Sequence, residues 1–517
     1  MNQPRPRSLT ADASAWLPFT SGPARLSLCG HRGALQMDFD LAQTQGFVVA
    51  RRPCTMKLPD DFVVRLRARG AGGRNHLELK LVDGAGTSVW RCVWRDLRPS
   101  PRWKRLGADA GMFIFAWGPR GGGPIADVSA IEIAVVAGAG GAGRIDIDEL
   151  EILPRATRPW LAAASSAQAG HQAAAVSTTA GWKPAVADTA PWLELDGGGL
   201  RPAASWMIEW TGAPPDSGLR VRLDRGRGWS KGFAVPAPVG ERSYLLLPAG
   251  KVRRIRLELP PRCAGLRLRE LPASCARSPE DLWHAIAAME PRGLLPRWLL
   301  REQSLWTPVG RVAGGGCALM SEQGMVEIAP GSCSLEPMLR VDGQLRSWAD
   351  AAVTQDLSEH WQPLPKVTWQ LPGLVLEISA QPAAGGALAL RYRLKNSAAA
   401  AARVQLLLLL RPLQVTPEWQ KSGSHGGVAP VHRLQWRAGR LRVDERIELA
   451  PATRPDRYQA WTLAQGVLPS AVAAPQPAAA RDRHGSLSAS LLYQLTLEPG
   501  ASAECVVDCA SLAAAPA

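Results

Sequence analysis

The sequence predicts a mainly β protein built from tandem β-sandwiches and one short connecting helix. Three observations carry this. Short apolar–polar alternations recur along almost all of the 517 residues, the pattern of half-buried strands. Gly (50) and Pro (43) are abundant, which supplies the many turns such strands need. A single segment, 278–291, has clear helical spacing. The length argues for two to four domains.

Residues 10–155 read as one β block. "ALQMDFDL" (34–41) alternates, and "FVVRLRAR" (62–69) sets Phe62, Val64 and Leu66 on one face. "HLELKLVDGAGTSVWRCVW" (76–94) is two strands around an Asp-Gly turn. The block ends in "AIEIAVVAGAGGAGRIDIDELEIL" (130–153), where Ile145, Ile147 and Leu150 point inward beside Asp146 and Asp148. The Ala/Ser-rich stretch 156–185 lacks pattern and reads as a linker. A second β block, 186–275, holds "WLELDGG", "SWMIEWTG", "GLRVRLDRGRGWSKGFAV", "RSYLLLPAG", "VRRIRLELP" and "GLRLREL".

The connector, 276–292, contains the helix. Ser278 is its N-cap, Glu280 and Asp281 lie in the first turn, Leu282, Ile286 and Met289 share a face, and Pro291 stops it. From 293 to 517 strands return. Hairpins are expected at 317–328, at 334–348 around Asp342-Gly343, and at 366–380 around Pro372-Gly373. "ALALRYRLKN" (387–396) and "RVQLLLLLRPLQV" (403–415) suit a buried sheet. "LLYQLTLEPGASAECVVD" (491–508) reads as a final strand pair, and 468–480 as a mobile loop.

The "LxLD" opening, "VRL…GxGW" middle and "YLLLP…RRIRLEL…LRLREL" end of the second block resemble the discoidin, or coagulation factor 5/8 C-type, domain of the galactose-binding-like superfamily. The first block's "GRIDIDELEI" resembles the last strand of carbohydrate-binding jelly rolls. "LRYRLKNS…ARVQLLLLLRPLQ" and "YQLTLEPGASAE" resemble the N-terminal super-sandwich that precedes the (α/α)6 toroid of glycoside hydrolases and phosphorylases. These resemblances imply two galactose-binding-like jelly rolls followed by a larger super-sandwich, in an order similar to large bacterial proteins. They also imply the accessory portion of a glycosidase-like protein, with a downstream or separate toroid as a partner.

Composition narrows the function. The net charge is +15, but the Arg excess is spread along the chain with no run of five basic residues, so a solvated surface is expected rather than nucleic-acid binding. The longest apolar run, "VQLLLLL" (404–410), is too short to cross a bilayer. Nine scattered cysteines without a CxxC oppose both a disulfide framework and a zinc site. With no apolar leader near the first residues, the reading is a reduced, cytoplasmic protein, secretion by another route staying open. The histidines lack ligand spacing for a transition metal.

Trp is frequent (20), and its flat face can stack on a sugar ring as well as fill a core. Candidate carbohydrate contacts are Trp117 in a turn-rich loop, Trp229 with Arg225 and Arg227, Trp348 in "SWADAAVTQDLSEHW", and Trp419 in a Gly/Pro-rich loop. Trp90, Cys92 and Trp94 share a face that suits a core. Glycoside hydrolysis requires two carboxyl groups roughly 5–10 Å apart. Glu302, between Trp298 and Trp306 on an expected strand, and Asp350 are the candidates, against a structural reading in which Glu302 pairs with an arginine. No cofactor is expected; Asp146 and Asp148 are candidate ligands for a structural Ca²⁺, or the wet face of a strand. The expected role is non-catalytic carbohydrate recognition and scaffolding. The alternatives are a glycosidase using Glu302 and Asp350, and an adaptor for a protein or lipid surface.

Overall fold

The structure is a computed structural model. It describes residues 8–42, 46–59, 61–155, 159–248, 250–272, 275, 278–309, 318–359, 362–383, 387–420, 426–469 and 478–511. It is mainly β, as expected, and divides into two compact units. One comprises Met1–Arg158 with Leu300–Gln303, the other Pro159–Leu299 with Ser304–Ala517.

Among the described residues, the first unit holds a six-stranded and a five-stranded antiparallel sheet. In the five-stranded sheet Ala142–Pro154 lies between Ala34–Asp40 and Phe62–Gly72, with Lys104–Asp109 at the far edge. Period-2 alternation sends Val64, Leu66 and Ala68 into the core, where Met37, Ile145 and Ile147 meet them. From the six-stranded sheet Leu77, Leu79, Leu81, Trp90 and Cys92 fill the other half of that core. Trp90 and Cys92 are each 1% exposed, so that face is core.

In the second unit, residues Leu161–Ala164 form a strand paired with Trp192–Pro202. Trp182 is fully buried and bonds to Leu266 through both backbone groups. The stretch expected to be a linker therefore belongs to the second sandwich from residue 159 onward. Its Ala-rich composition hid a strand whose alternate side chains are small. The sheet continues through Lys251–Glu258 and Leu219–Asp224 to Phe233–Val235, and a three-stranded sheet of Arg242–Leu245, Trp206–Trp210 and Leu266–Glu270 accompanies it.

The helix Pro279–Ala287 starts where expected: the Ser278 side chain accepts from the Asp281 amide, Pro279 opens the first turn, and Glu280 and Asp281 face the positive end of the helix dipole. After it, among the described residues, the third sandwich packs an eight-stranded sheet and a nine-stranded sheet around Leu406, Leu408, Leu390, Tyr392 and Trp369. The turn at Asp342-Gly343 has φ of 49° and 78°, as a tight two-residue hairpin demands. The last two strands do not pair with each other. Leu487–Leu497 pairs with Ala402–Arg411 and Arg457–Thr462, whereas Ser502–Ser511 pairs with Leu388–Asn396 and Ile447–Pro451 in the other sheet. The intervening Pro-Gly turn carries the chain between sheets, a choice that strand alternation alone cannot reveal. Residues 470–477 of the expected mobile loop lie outside the described residues.

Candidate functional site

The outer face of the first unit's five-stranded sheet carries a dense arrangement of charge. The alternation that buries Val64, Leu66 and Ala68 places Arg65, Arg67 and Arg69 on the opposite face. In register, Asp146 stands across from Arg69 and Asp148 from Arg67. Arg69 Nε donates to Asp146 Oδ2 at 2.8 Å, and Arg67 Nη2 donates to Asp148 Oδ2 at 2.6 Å. On the other flank Arg105 stands across from Arg67, and Gly107 across from Arg65.

The register shifts between Asp148 and Glu151, and Glu149 takes φ of 50°. Such a bulge re-aims side chains. Here Glu149 reaches Arg67 at 3.1 Å and lines a cleft with Glu151. The cleft encloses about 410 Å³ and is framed by Arg65, Arg67, Arg105, Gly107, Glu149 and Glu151. Gly107 contributes no side chain, which leaves its floor open. Half-buried Trp103 stands beside it, with the guanidinium carbons of Arg67 and Arg69 at 5.2 and 4.6 Å from its ring. Rigid strands thus present forked N–H donors next to carboxylate acceptors, a set matched to ligands rich in hydroxyls.

Asp146 and Asp148, the candidate Ca²⁺ ligands, are both held by arginines. A guanidinium at that distance competes with any cation for the carboxylate oxygens. Among the described residues no group of three or more His, Cys, Asp or Glu side chains is arranged to hold a metal.

Trp117 stands at the edge of the six-stranded sheet, 49% exposed, with Lys80 Nζ 5.2 Å from its ring. In the second sandwich Trp229 is half-buried against two guanidiniums, Arg254 at 4.7 Å and Arg256 at 4.8 Å. Arg256 also lies 4.5 Å from Trp192 and binds Glu194 through Nε and Nη2. Asp224 anchors the loop by accepting from the Gly226 and Gly228 amides and from Arg254. The Arg254 bond, then those amides, hold its carboxyl below the usual range against the cost of burial. Arg225 bonds to the Lys251 and Pro248 carbonyls, while Arg227 is exposed. The Trp–Arg loop is a closed ladder of stacked and ion-paired groups.

Trp348 is 9% exposed and sits in the third core, with Arg292 and Arg297 over its ring at 5.0 and 5.9 Å. Trp419 stacks on buried His284 at 6.1 Å and meets Trp298 edge-on at 6.2 Å. His284 Nδ1 lies 2.7 Å from the Leu299 carbonyl oxygen, and Nε2 lies 3.2 Å from Glu418 Oε1. Asp350 completes a capping box with Ser347, accepting from the Ser347 amide at 2.8 Å. His360, Trp361 and His425 from the two expected loops lie outside the described residues.

Glu302 is not on a strand. Arg297–Leu300 form a 3₁₀ turn, and the first strand of the third sandwich begins at Trp306, which is 37% exposed, whereas Trp298 is 1% exposed. Glu302 therefore shares no strand face with the two tryptophans. Its segment is pinned within the first unit, where the Gln303 amide bonds to Gly121 and Arg301 Nη1 donates to the Phe113 carbonyl. The cleft residues Arg65, Arg105, Glu149, Glu151 and the neighbouring Trp103 were not singled out from sequence. Only Arg65 carries a local signal, in the polar half of "FVVRLRAR"; Trp103, Arg105, Glu149 and Glu151 come to it through strand register.

No protein-family model matches the chain, and no curated protein does. Among solved structures, the family 11 carbohydrate-binding module of the cellulosomal cellulase Lic26A-Cel5E of Clostridium thermocellum is 14% identical, with 29% of this chain and 95% of that one covered, at a TM-score of 0.24. A family 4 carbohydrate-binding module is 12% identical over 27% of this chain and 86% of that one, at 0.19. An exo-β-agarase is 12% identical over 30% of this chain and 26% of that one, at 0.23. At such scores these likenesses carry no argument about what this chain binds.

Proposed function

We propose that the chain recognises carbohydrate without cleaving it, through the cleft on the first sandwich, and serves as a recognition and scaffolding portion for a glycosidase-like partner. The observation that carries this reading is the convergence of donor forks from Arg65, Arg67 and Arg105 and the carboxylates of Glu149 and Glu151 around one open cleft of about 410 Å³. Sugars present alternating hydroxyl donors and acceptors, and strands hold such groups more rigidly than loops do. The volume falls within the range of small-ligand sites. A hydrolytic use of Glu302 and Asp350 has no comparable support, because Asp350 is engaged in capping Ser347.

A glycan array probed with the full chain tests the reading. Neutral oligosaccharides should bind, and Arg105→Ala and Trp103→Ala should each weaken binding about tenfold or more. Trp117→Ala, on the other sheet of the first sandwich, and Trp229→Ala, in the second unit, should leave it within about twofold. Absence of any glycan bound, or binding indifferent to Arg105→Ala combined with Arg65→Ala, overturns the proposal.

A further inference from the structure

A second cavity lies on the third sandwich and plays no part in the site above. It encloses about 650 Å³. One wall is the hairpin of Arg433–Arg437 and Arg440–Val443, turned at Ala438-Gly439 with φ of 49° and 75°. The other is the connector from Pro451 to Arg457, which carries the chain from the nine-stranded sheet to the edge strand of the eight-stranded sheet. Between them Trp436 and Tyr458 stack with ring centroids 5.0 Å apart and planes 10° apart. Both rings pack against the core, so they form a fixed apolar wall.

The charged lining is unbalanced. Arg440, Arg454 and Arg457 face the groove with a single carboxylate, Asp456. That carboxylate is already used: its Oδ2 accepts from the Gln494 amide at 2.7 Å. Arg440 bonds to Glu448 at 2.6 Å, yet its side chain is 57% exposed and Glu448 is shared with Arg442. An ion pair whose arginine stands in solvent holds that side chain weakly and lets it turn toward a better oxyanion. Arg454 is exposed on the connector.

We infer that this groove is a second binding site, for an acidic oligosaccharide whose carboxylate or sulfate groups are taken by Arg440 and Arg454 while a sugar ring lies along the Trp436–Tyr458 wall. Guanidinium forks match planar or tetrahedral oxyanions and bind them in pairs of parallel hydrogen bonds. A flat apolar wall next to them suits the C–H face of a sugar. A nucleic acid fits less well. Stacking platforms for bases present aromatic faces in series along a basic track, whereas this groove offers a single two-ring stack and its arginines are confined to one pocket. The inference shares with the proposed function only the general class of ligand; it uses different residues and a different sandwich.

Calorimetric titration of the full chain with an oligogalacturonate, a sulfated oligosaccharide, a neutral oligosaccharide and a single-stranded oligonucleotide tests it. At least one acidic oligosaccharide should bind, with affinity falling as salt rises. Arg454→Ala should weaken it about tenfold, and Arg454→Glu should abolish it. Both substitutions are at an exposed position, so circular dichroism should report an unchanged fold. Trp436→Ala should weaken binding as well, and Arg105→Ala on the first sandwich should not. Failure of both acidic ligands to bind, tighter binding of the oligonucleotide, or acidic binding unchanged by Arg454→Glu overturns the inference. Loss of neutral binding at Arg105 with acidic binding intact at Arg454 separates the two sites.

Discussion

Arg411 Nη1 lies 2.7 Å from Glu336 Oε1 inside the third sandwich, where the two side chains are 1% and 5% exposed. They project from adjacent paired strands, and Arg411 Nη1 also donates to the Leu294 carbonyl at 2.6 Å. Burial raises the Glu336 pKa and lowers that of Arg411, each opposed by the attraction of its partner. The interior thus holds two charges that are tolerable only together.

Removing one partner leaves the other as a lone charge in an apolar core. Glu336→Gln, Glu336→Met or Arg411→Leu should each destabilise the chain by about 3–5 kcal/mol, while the joint replacement Glu336→Met/Arg411→Leu should recover to within about 1 kcal/mol of the original or exceed it. Urea unfolding followed by tryptophan fluorescence measures this. Additive losses in the double variant would show that the pair is not coupled.

Asp224 makes a similar argument at the edge of solvent. It is 2% exposed, and Arg254, with the amides of Gly226 and Gly228, stabilises its charged form. Its folded pKa lies below the ordinary carboxylate value, chiefly through the bond to Arg254. The stability from that interaction is complete above the unfolded pKa of about 3.9 and disappears as pH falls through the lower folded value. Asp224→Asn should cost about 1–3 kcal/mol at neutral pH. Its difference from the original should shrink steadily on acidification and vanish once the folded-state value has been passed. A difference that stays constant with pH would mean that the carboxylate's charge is not what holds the loop.

These two sites show what a sequence discloses and what it conceals. The strands were legible because alternation is local: Val64, Leu66 and Ala68 announce their own burial. The helix was legible because Ser278, Pro279 and Glu280 are a start signal in themselves. Pairing was not legible. Leu487–Leu497 and Ser502–Ser511 follow one another but lie in different sheets, and nothing within either strand says which neighbour it will find. The same holds for function. Arg65, Arg105 and Glu151 are far apart in the chain and meet only through strand register. Trp348 and Trp419, attractive as exposed aromatics, prove to be packed against Arg292 and His284, since the residues that cover them come from the connector around the helix.

Gly122 permits the close approach of the Arg301–Glu302 backbone. It has φ of 128°, and a Cβ there would stand 2.4 Å from Glu302 Cα and 2.5 Å from the Arg301 carbonyl oxygen. Both the backbone angle and the space exclude a larger residue. Gly122→Ala should therefore release the segment and lose the Gln303–Gly121 bond. Trypsin should then cut after Arg301 several-fold faster, with a stability loss of about 1–3 kcal/mol. An unchanged cleavage rate at Arg301 would show that Gly122 is dispensable to the contact.

The cysteines give a readout that depends on burial alone. Cys29 is exposed, whereas Cys333, Cys505 and Cys509 are buried in the third sandwich. Burial pushes the Cys505 thiol up to about 11 and the Cys333 thiol up to about 12, and it raises Cys509 as well. Only the thiolate reacts with a disulfide reagent, so raised pKa and lack of access act in the same direction. Treated with such a reagent at about pH 8, the folded chain should label Cys29 within minutes. Cys333, Cys505 and Cys509 should label only at the rate at which the third sandwich opens, and all nine thiols of the sequence should react in denaturant. Mass-spectrometric mapping identifies the order, and early labelling of Cys333 or Cys509 without loss of the folded signal would contradict the packing described for that core. Because Glu336→Gln is expected to weaken the same sandwich, it should accelerate labelling of these three thiols and leave Cys29 unchanged. This ties the buried ion pair to the opening of the core around it.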